Sequence, residues 1–452
     1  MDAGIDERPL TLEDLTAWFA EGCKPAHTWR VGAEHEKFGF RLADHATVPY
    51  AGPAGIAALM QGLCDRFGWK PVMEGPTVIG LERDGANISL EPGGQFELSG
   101  APLADIHKIR AETVSHLDET KAVAGDLGLD FLSLGFHPTI SRDQAEIMPK
   151  GRYDIMRRYM PKVGNLGLDM MLRTCTVQAN LDFGSEADMI AKFRASLALQ
   201  PIATALFANS PFTEGRPNGF LTSRANVWTD TDPDRTGLLD FVFQSGFGFE
   251  TYARYALDVP MYFVKRDGRY IDAAGQSFRD FMDGRLPALP GVYPNLKDWI
   301  DHTTTLFPEV RLKTFLEMRG ADSGPLDMLV ALPALWVGIF YDSAALTASL
   351  ELVRDWTAED RAKLRADVPK LGLNAVVAGR KARDVAVDMV AIAKRGLANR
   401  AVASDAVNDE TGHLEVLEAI ADSGVTPAER LLEKFQGDWN GNIAGAFADC
   451  AY

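Results

Sequence analysis

Long apolar runs are missing from this chain. The longest strongly apolar stretch, Leu329 to Tyr341, covers 13 residues and contains Pro333. A bilayer-spanning helix needs roughly 20 such residues, so no membrane association is expected. Cysteine is scarce. Cys23, Cys64, Cys175 and Cys450 form no C-x-x-C pair, and so few in a chain of this length make no disulfide scaffold; they read as reduced thiols. Positive charge is in deficit, with 46 Lys and Arg against 63 Asp and Glu and a formal net charge of −17. That balance opposes the counterion-release attraction behind nucleic-acid binding and excludes a general DNA or RNA binder. Anionic small substrates fit only if metal ions or local arginines invert the field inside a cleft. The opening MDAGIDERPL has neither the basic start nor the apolar core of a secretory signal, which leads to the expectation of a cytoplasmic protein. No G-x-x-x-x-G-K-[ST] and no complete G-x-G-x-x-G occurs, and His35-Glu36 lacks the second histidine of a zinc-protease helix.

What is present is ordinary globular composition, 46% hydrophobic and 24% charged, enough for a sizeable core. No repeat, low-complexity tract or linker-like cluster divides the 452 residues, so a single catalytic unit is expected over 1–452. Thr11 with Asp14, Ser185 with Asp188, Thr357 with Asp360, and Thr426-Pro427-Ala428-Glu429 resemble capping boxes and predict helix starts. Strand-like segments concentrate in 10–341, while capped and alanine-rich stretches such as Arg383 to Asn399 make 342–452 a helical C-terminal portion packed on that core.

Four strand-like segments carry chemistry. In Arg173 to Phe183 the alternation puts Cys175, Val177, Ala179, Leu181 and Phe183 on one face and Thr174, Thr176, Gln178, Asn180 and Asp182 on the other. Val31 to Phe40 aligns Glu34 with Glu36, and Gln95 to Ser99 aligns Gln95 with Glu97. Around Arg311 to Arg319, Leu312, Leu316 and Met318 oppose Arg311, Lys313, Glu317 and Arg319. Four strands with one loaded face predict an α+β fold whose curved, largely antiparallel sheet has a site on its concave side. Glu34, Glu36, Glu97 and Glu317 with Gln178 form the oxygen-rich set that a hard cation such as Mg²⁺ requires. The plain alternative is four solvated strand faces. Arg319, two residues after Glu317, either grips a phosphate or carboxylate or simply pairs with Glu317. Leu90 to Gln95, with Pro92-Gly93-Gly94, reads as a turn more than as a phosphate loop. Cys175, on the apolar face, reads as a buried structural thiol. The residues alone lead to a Mg²⁺ enzyme of phosphoryl transfer or ATP-driven ligation, with its substrate open.

Longer motifs go further. VGAEHEKFGF (Val31 to Phe40), SLEPGGQFELSGA (Ser89 to Ala101), MPKGRYDIMRRYMPKVG (Met148 to Gly164), LGLDMMLRTCTVQANLDF (Leu166 to Phe183), TDTDPDRTG (Thr229 to Gly237) and FPEVRLKTFLEMRGAD (Phe307 to Asp322) resemble, in this order, the glutamate-cysteine ligase family of plants and alphaproteobacteria. The likeness runs from about Leu10 to Gly441. It implies a glutamine-synthetase-like catalytic fold with an antiparallel sheet and outer helices. It also implies ATP-dependent joining of the L-glutamate γ-carboxylate to the L-cysteine amine through a γ-glutamyl phosphate, the first step of glutathione synthesis. By motif, Glu34, Glu36, Glu97, Gln178 and Glu317 resemble the metal ligands, with Gln178 standing where more distant ligases have histidine. Arg319 would act on the transferred phosphoryl group alongside Glu317, Glu34 and Glu36, while Arg173 or Arg224 would take a substrate carboxylate and Asn180 would contact substrate. The implied partners are small molecules only, with a monomer or homodimer both open.

The likeness fails at the cysteines. Plant members carry regulatory disulfides, but the matching positions here read Arg110 and Val330, and, for a second pair, Ala273 and Ala288. No plant-type switch is expected, and Cys23 with Cys64 is the one pair left open. Two alternatives stand beside the main reading: a superfamily ligase that keeps glutamate but accepts another amine, and an inactive binding homologue.

Overall fold

The computed structural model describes residues 8–402, 404, 407 and 409–452. Helices begin at the expected caps. Thr11, Thr357 and Thr426 each close a reciprocal capping box with the acidic residue three places on, and the Ser185 hydroxyl accepts from the Asp188 N–H. The helices used below are α1 (Leu12–Ala20), α2 (Ile56–Phe67), α3 (Ile106–Asp126), α4 (Gly151–Tyr159), α5 (Gly167–Arg173), α6 (Glu186–Leu206), α7 (Ser223–Val227), α8 (Leu326–Phe340) and α9 (Ala382–Arg400).

One nine-stranded sheet organises the molecule. Its strands are β1 (Val31–Arg41), β2 (Lys70–Glu74), β3 (Thr77–Arg83), β4 (Ala86–Leu90), β5 (Phe96–Ser99), β6 (Leu129–Leu132), β7 (Thr176–Leu181), β8 (Val310–Leu312) and β9 (Leu316–Asp322). The order is β8-β9-β7-β1-β5-β4-β3-β2, with β6 on the far end of β1, and every pairing in it is antiparallel. The α+β expectation is met, and "largely antiparallel" becomes wholly antiparallel within this sheet. The long strand β1 serves three partners because its eleven residues reach past the ends of β5 and β7.

One expected strand is two. The segment around Arg311 to Arg319 is a hairpin, β8 and β9, turning at Lys313 to Phe315. The turn puts Arg311 directly opposite Glu317, which a single strand would have kept six residues apart.

The apolar faces of β7, β1 and β9 are covered by helices. Helix α8 packs on β7 and β1, α6 on β9, and α3 on β1 and β6. Helix α8 is buried along nearly its whole length, so its apolarity belongs to the core; among the described residues no single helix is long and apolar enough to cross a membrane. Among the described residues, six α-helices follow Asp342, α9 among them, with one small hairpin, Val376–Val377 with Arg380–Lys381. Helix α9 packs along α8, and the chain end returns to the sheet, where the Tyr452 N–H donates to the Phe131 carbonyl at 3.1 Å.

All four cysteines are free, and burial pushes the Cys175 thiol well above its ordinary range. At the plant disulfide positions other contacts stand. Arg110 lies 3.9 Å from Asp327 beside Val330, and the Ala288 N–H donates to the Gln276 side-chain oxygen while the Gln276 backbone N–H donates to the Ala273 carbonyl, both at 2.9 Å.

Candidate active site

The polar face of the sheet opens into a cleft with about 710 Å³ of space between its walls, open solvent at the mouth included. Glu36, Thr176, Gln178 and Arg319 form its floor; Glu91, Arg152, Tyr153, Arg224 and Trp228 stand among its walls. Each comes from local structure with a reason. Antiparallel register places Ser89 of β4, Glu97 of β5 and Glu36 of β1 on one rung, and the Glu36 carboxylate accepts from the Thr176 N–H at 2.8 Å. Glu91 follows β4 into the turn, where Gly94 takes φ +82° and its N–H donates to the Glu91 carbonyl at 3.0 Å. Arg152 lies in the first turn of α4, whose Gly151 N–H is capped by the Glu74 carboxylate at 2.7 Å. Arg224 rides on α7, whose cap is Thr222.

Two kinds of carboxylate share this face. Glu36, Glu91 and Glu97 gather as like charges, and the Ser89 hydroxyl oxygen lies 3.0 Å from a Glu91 oxygen and 2.5 Å from a Glu97 oxygen, its one proton shared between them. Burial, and then repulsion from Glu91, raise the Glu36 carboxyl to about 8. The same two causes, with Glu34 and Glu36 adding to them, hold Glu97 well above the usual range. Glu91 itself is held low: burial works against its charge, but Lys150 and Arg152 outweigh it. Glu317 is the other kind. Both its oxygens are gripped by Arg311, at 2.5 and 2.9 Å. Arg319 donates to it at 3.2 Å, and Lys313 stands 3.8 Å away. These cations overcome burial and hold its carboxyl far below the usual range.

The guanidiniums of the cleft are under-used. Arg224 donates from one terminal nitrogen to the Arg319 carbonyl at 2.9 Å, while its Nε and other terminal nitrogen are buried without partners. Arg152 Nε and Trp228 Nε1 are likewise buried and unpaired. Unmet buried N–H donors facing a cleft are the mark of an anion site. Arg319 donates to the Gln178 side-chain oxygen, Oε1, at 2.6 Å.

The structure therefore sorts the expected residues. It brings Glu36, Gln178, Arg224 and Arg319 to the cleft wall. Glu34 and Asn180 share the polar face but bind each other at 2.7 Å, and Gln178 also donates to Glu34 at 3.3 Å. Arg173 is elsewhere: its guanidinium is spent on Asp169, on Glu214 at 2.9 Å and on the Ile140 carbonyl at 3.0 Å, so it has no free edge for a substrate carboxylate. Both Glu317 oxygens already accept from Arg311, which faces it across the hairpin. Glu91, Arg152 and Trp228 carried no assigned role in the sequence, although alternation carried one step past β4, from Ser89 to Glu91, marks the first of them. Oxygen donors at Glu36, Glu91 and Glu97, crowded as like charges, fit a hard divalent ion. Among the described residues, however, no three His, Cys, Asp or Glu side chains are already grouped to hold one as they stand.

Residues 30–449 match the profile described as Glutamate-cysteine ligase family 2 (GCS2). The chain is 56% identical over 451 residues to a chloroplastic glutamate-cysteine ligase of Nicotiana tabacum, covering all of this chain and 85% of that one. With a chloroplastic glutamate-cysteine ligase of Arabidopsis thaliana it shares 55%, at the same coverage. A crystal structure of a glutamate-cysteine ligase from Francisella tularensis in complex with AMP superposes with TM-score 0.55 at 10% identity, covering 94% of this chain and 89% of that one; this likeness is one of fold. The expected cytoplasmic location is overturned here, since these relatives are named as chloroplastic enzymes. The absence of a secretory signature in the first ten residues carries no information about location.

Proposed function

The chain belongs to glutamate-cysteine ligase family 2 and shares the activity for which that family is named, joining glutamate to cysteine at the start of glutathione synthesis; we propose that it does so in the cleft on β1, using ATP. The observation that carries the siting is the meeting, in one cleft, of crowded carboxylates with the guanidiniums of Arg152, Arg224 and Arg319. A carboxylate is a poor electrophile. The γ-carboxylate oxygen attacks the terminal phosphorus of ATP, ADP leaves, and the cysteine amine then displaces phosphate from the acyl carbon, forming the amide and losing a proton.

The chain's own groups divide this work. Arg224, with two unmet donors, takes a carboxylate of glutamate. Arg319, held by Gln178 and Glu317, presents its charge to the transferred phosphoryl group, where charge spreads over the oxygens in the transition state. Glu317, with Arg311, keeps Arg319 in place. Glu36, Glu91 and Glu97 are the donors that would hold Mg²⁺. When bound there, such an ion would supply charge neutralisation for the phosphates. Glu34, Gln178 and Asn180 brace that set from β1 and β7. Met156, Met170, Phe263 and Phe307 line the cleft and lower the local dielectric, which strengthens every charged contact inside it.

The test is a product assay with ATP, glutamate and one amine at a time, cysteine among them. γ-Glutamylcysteine and ADP in equal amounts are expected, with turnover abolished in Arg319→Ala and KM for glutamate raised at least about tenfold, with measurable turnover, in Arg224→Ala. Preference for a different amine would assign the cleft to another glutamate ligase. Full activity in both variants would move the chemistry out of this cleft.

A further inference from the structure

Asp322 ends β9 on the polar face, although strict alternation from Leu316 and Met318 would send it to the core. The reason is an irregularity in the β9–β7 ladder: the register shifts between Met318 and Ala321, so one residue of β7, Gln178, faces both Arg319 and Gly320. Gly320 is required there, since a Cβ would come within 2.6 Å of Gln200 and 2.8 Å of Thr204. After the irregularity Asp322 pairs with Thr176 and is buried, 1% exposed. Gly135 leaves room for it, because a Cβ at that position would lie 2.4 Å from its carboxyl carbon.

The carboxylate is spent on one segment. One oxygen accepts from the Asn209 N–H at 2.9 Å and the Ser210 hydroxyl at 2.6 Å; the other accepts from the Thr222 hydroxyl at 2.8 Å. Each hydroxyl gives Asp322 its single proton and turns its lone pairs to α7. Ser210 Oγ then accepts from the Arg224 N–H at 3.2 Å, and Thr222 Oγ1 from the Ala225 N–H at 3.1 Å. We propose that Asp322 is a positioning residue for the glutamate site, orienting the Ser210 and Thr222 hydroxyls so that α7 presents the unmet guanidinium donors of Arg224 to the cleft. The proposal rests on the assignment of Arg224 to a glutamate carboxylate. An amide in place of the carboxylate must donate from one side, which reverses one of the two hydroxyls and loosens α7.

The test is a double-mutant cycle in the full chain, reading KM and kcat for glutamate, ATP and cysteine. Asp322→Asn is expected to raise KM for glutamate by about tenfold with a smaller change in kcat and in KM for ATP. Added to Arg224→Ala, the same substitution should change KM for glutamate less than about twofold, because the group it positions is gone. Thr222→Val should repeat the Asp322→Asn split and Thr222→Ser should restore it, which keeps the test alive if Asp322→Asn folds poorly. Multiplying effects in the double mutant, or a lowered melting temperature with all KM values unmoved, would overturn the positioning role. An Arg224→Ala enzyme with unchanged KM for glutamate would instead overturn the siting of the substrate.

Discussion

Glu36 and Glu317 sit on the same face of one sheet, and their surroundings oppose each other. Glu317 has three cations within 4 Å and a hydrogen bond to each oxygen from Arg311. Glu36 accepts from the Thr176 N–H, and burial with the Glu91 charge outweighs Arg224 and Arg319 and raises its carboxyl to about 8. A satisfied buried carboxylate is architecture, holding the arginines that flank it. A crowded one carries an unbalanced negative charge, which suits the Mg²⁺ site proposed above. Acids identical in a sequence pattern thus come to differ in charge state according to what the next strand sets opposite them.

The comparison breaks most visibly at Glu317. Glu317→Gln strips the counter-charge from Arg311, Lys313 and Arg319 and is expected to cost about 3–5 kcal/mol of stability, read as a fall in denaturation midpoint with unchanged m-value; a variant as stable as the parent would show that the ion cluster is not an anchor. The pH dependence carries the same sign. Because the folded Glu317 carboxyl lies below its unfolded value of 4.5, its contribution is complete above that value and is lost as pH falls through the folded range.

Glu36→Gln sharpens the other side. Turnover should fall by about a hundredfold, yet stability in chelator should hold or rise, since a like charge has been removed. The pH slope is reversed from that of Glu317: with the folded carboxyl at about 8 against 4.5 unfolded, stability of the metal-free protein falls as pH rises through that window. Thermal melts between pH 5 and 8, with and without Mg²⁺, check this. A flat profile without metal would mean that Glu36 is as well compensated as Glu317.

The smallest effect is expected behind the sheet. Lys37, next to Glu36 but on the opposite face, is buried against the His116 ring nitrogen at 2.7 Å and the Phe96 carbonyl at 3.2 Å, and burial lowers its ammonium to about 7. Lys37→Met should leave turnover within about threefold and raise stability by about 1 kcal/mol. The gain should be larger at pH 6.5 than at pH 10, because the cost of burying the charge fades as pH rises from about 7 to 10.5. A large loss of turnover would tie this buried lysine to the chemistry on the other face.

The period-two alternation of side chains is local, and so the sequence by itself determined which residues share a polar face: Glu34 with Glu36, Gln178 with Asn180, Glu317 with Arg319, and Cys175 on the buried side. Helix starts were legible for the same reason, since a cap and its partner lie three residues apart. Motif order carried the family. What alternation cannot carry is register between strands remote in sequence. Only the tertiary structure decided that Arg311 faces Glu317 across a hairpin, that Arg173 is bound to Asp169 away from the cleft, and that Glu91 arrives beside Glu97. Asp322 shows the limit most clearly. Its parity in the sequence points to the core, and the break in the β9 ladder, at Gly320 beside Gln200 and Thr204 of α6, turns it to the face where Arg224 is held.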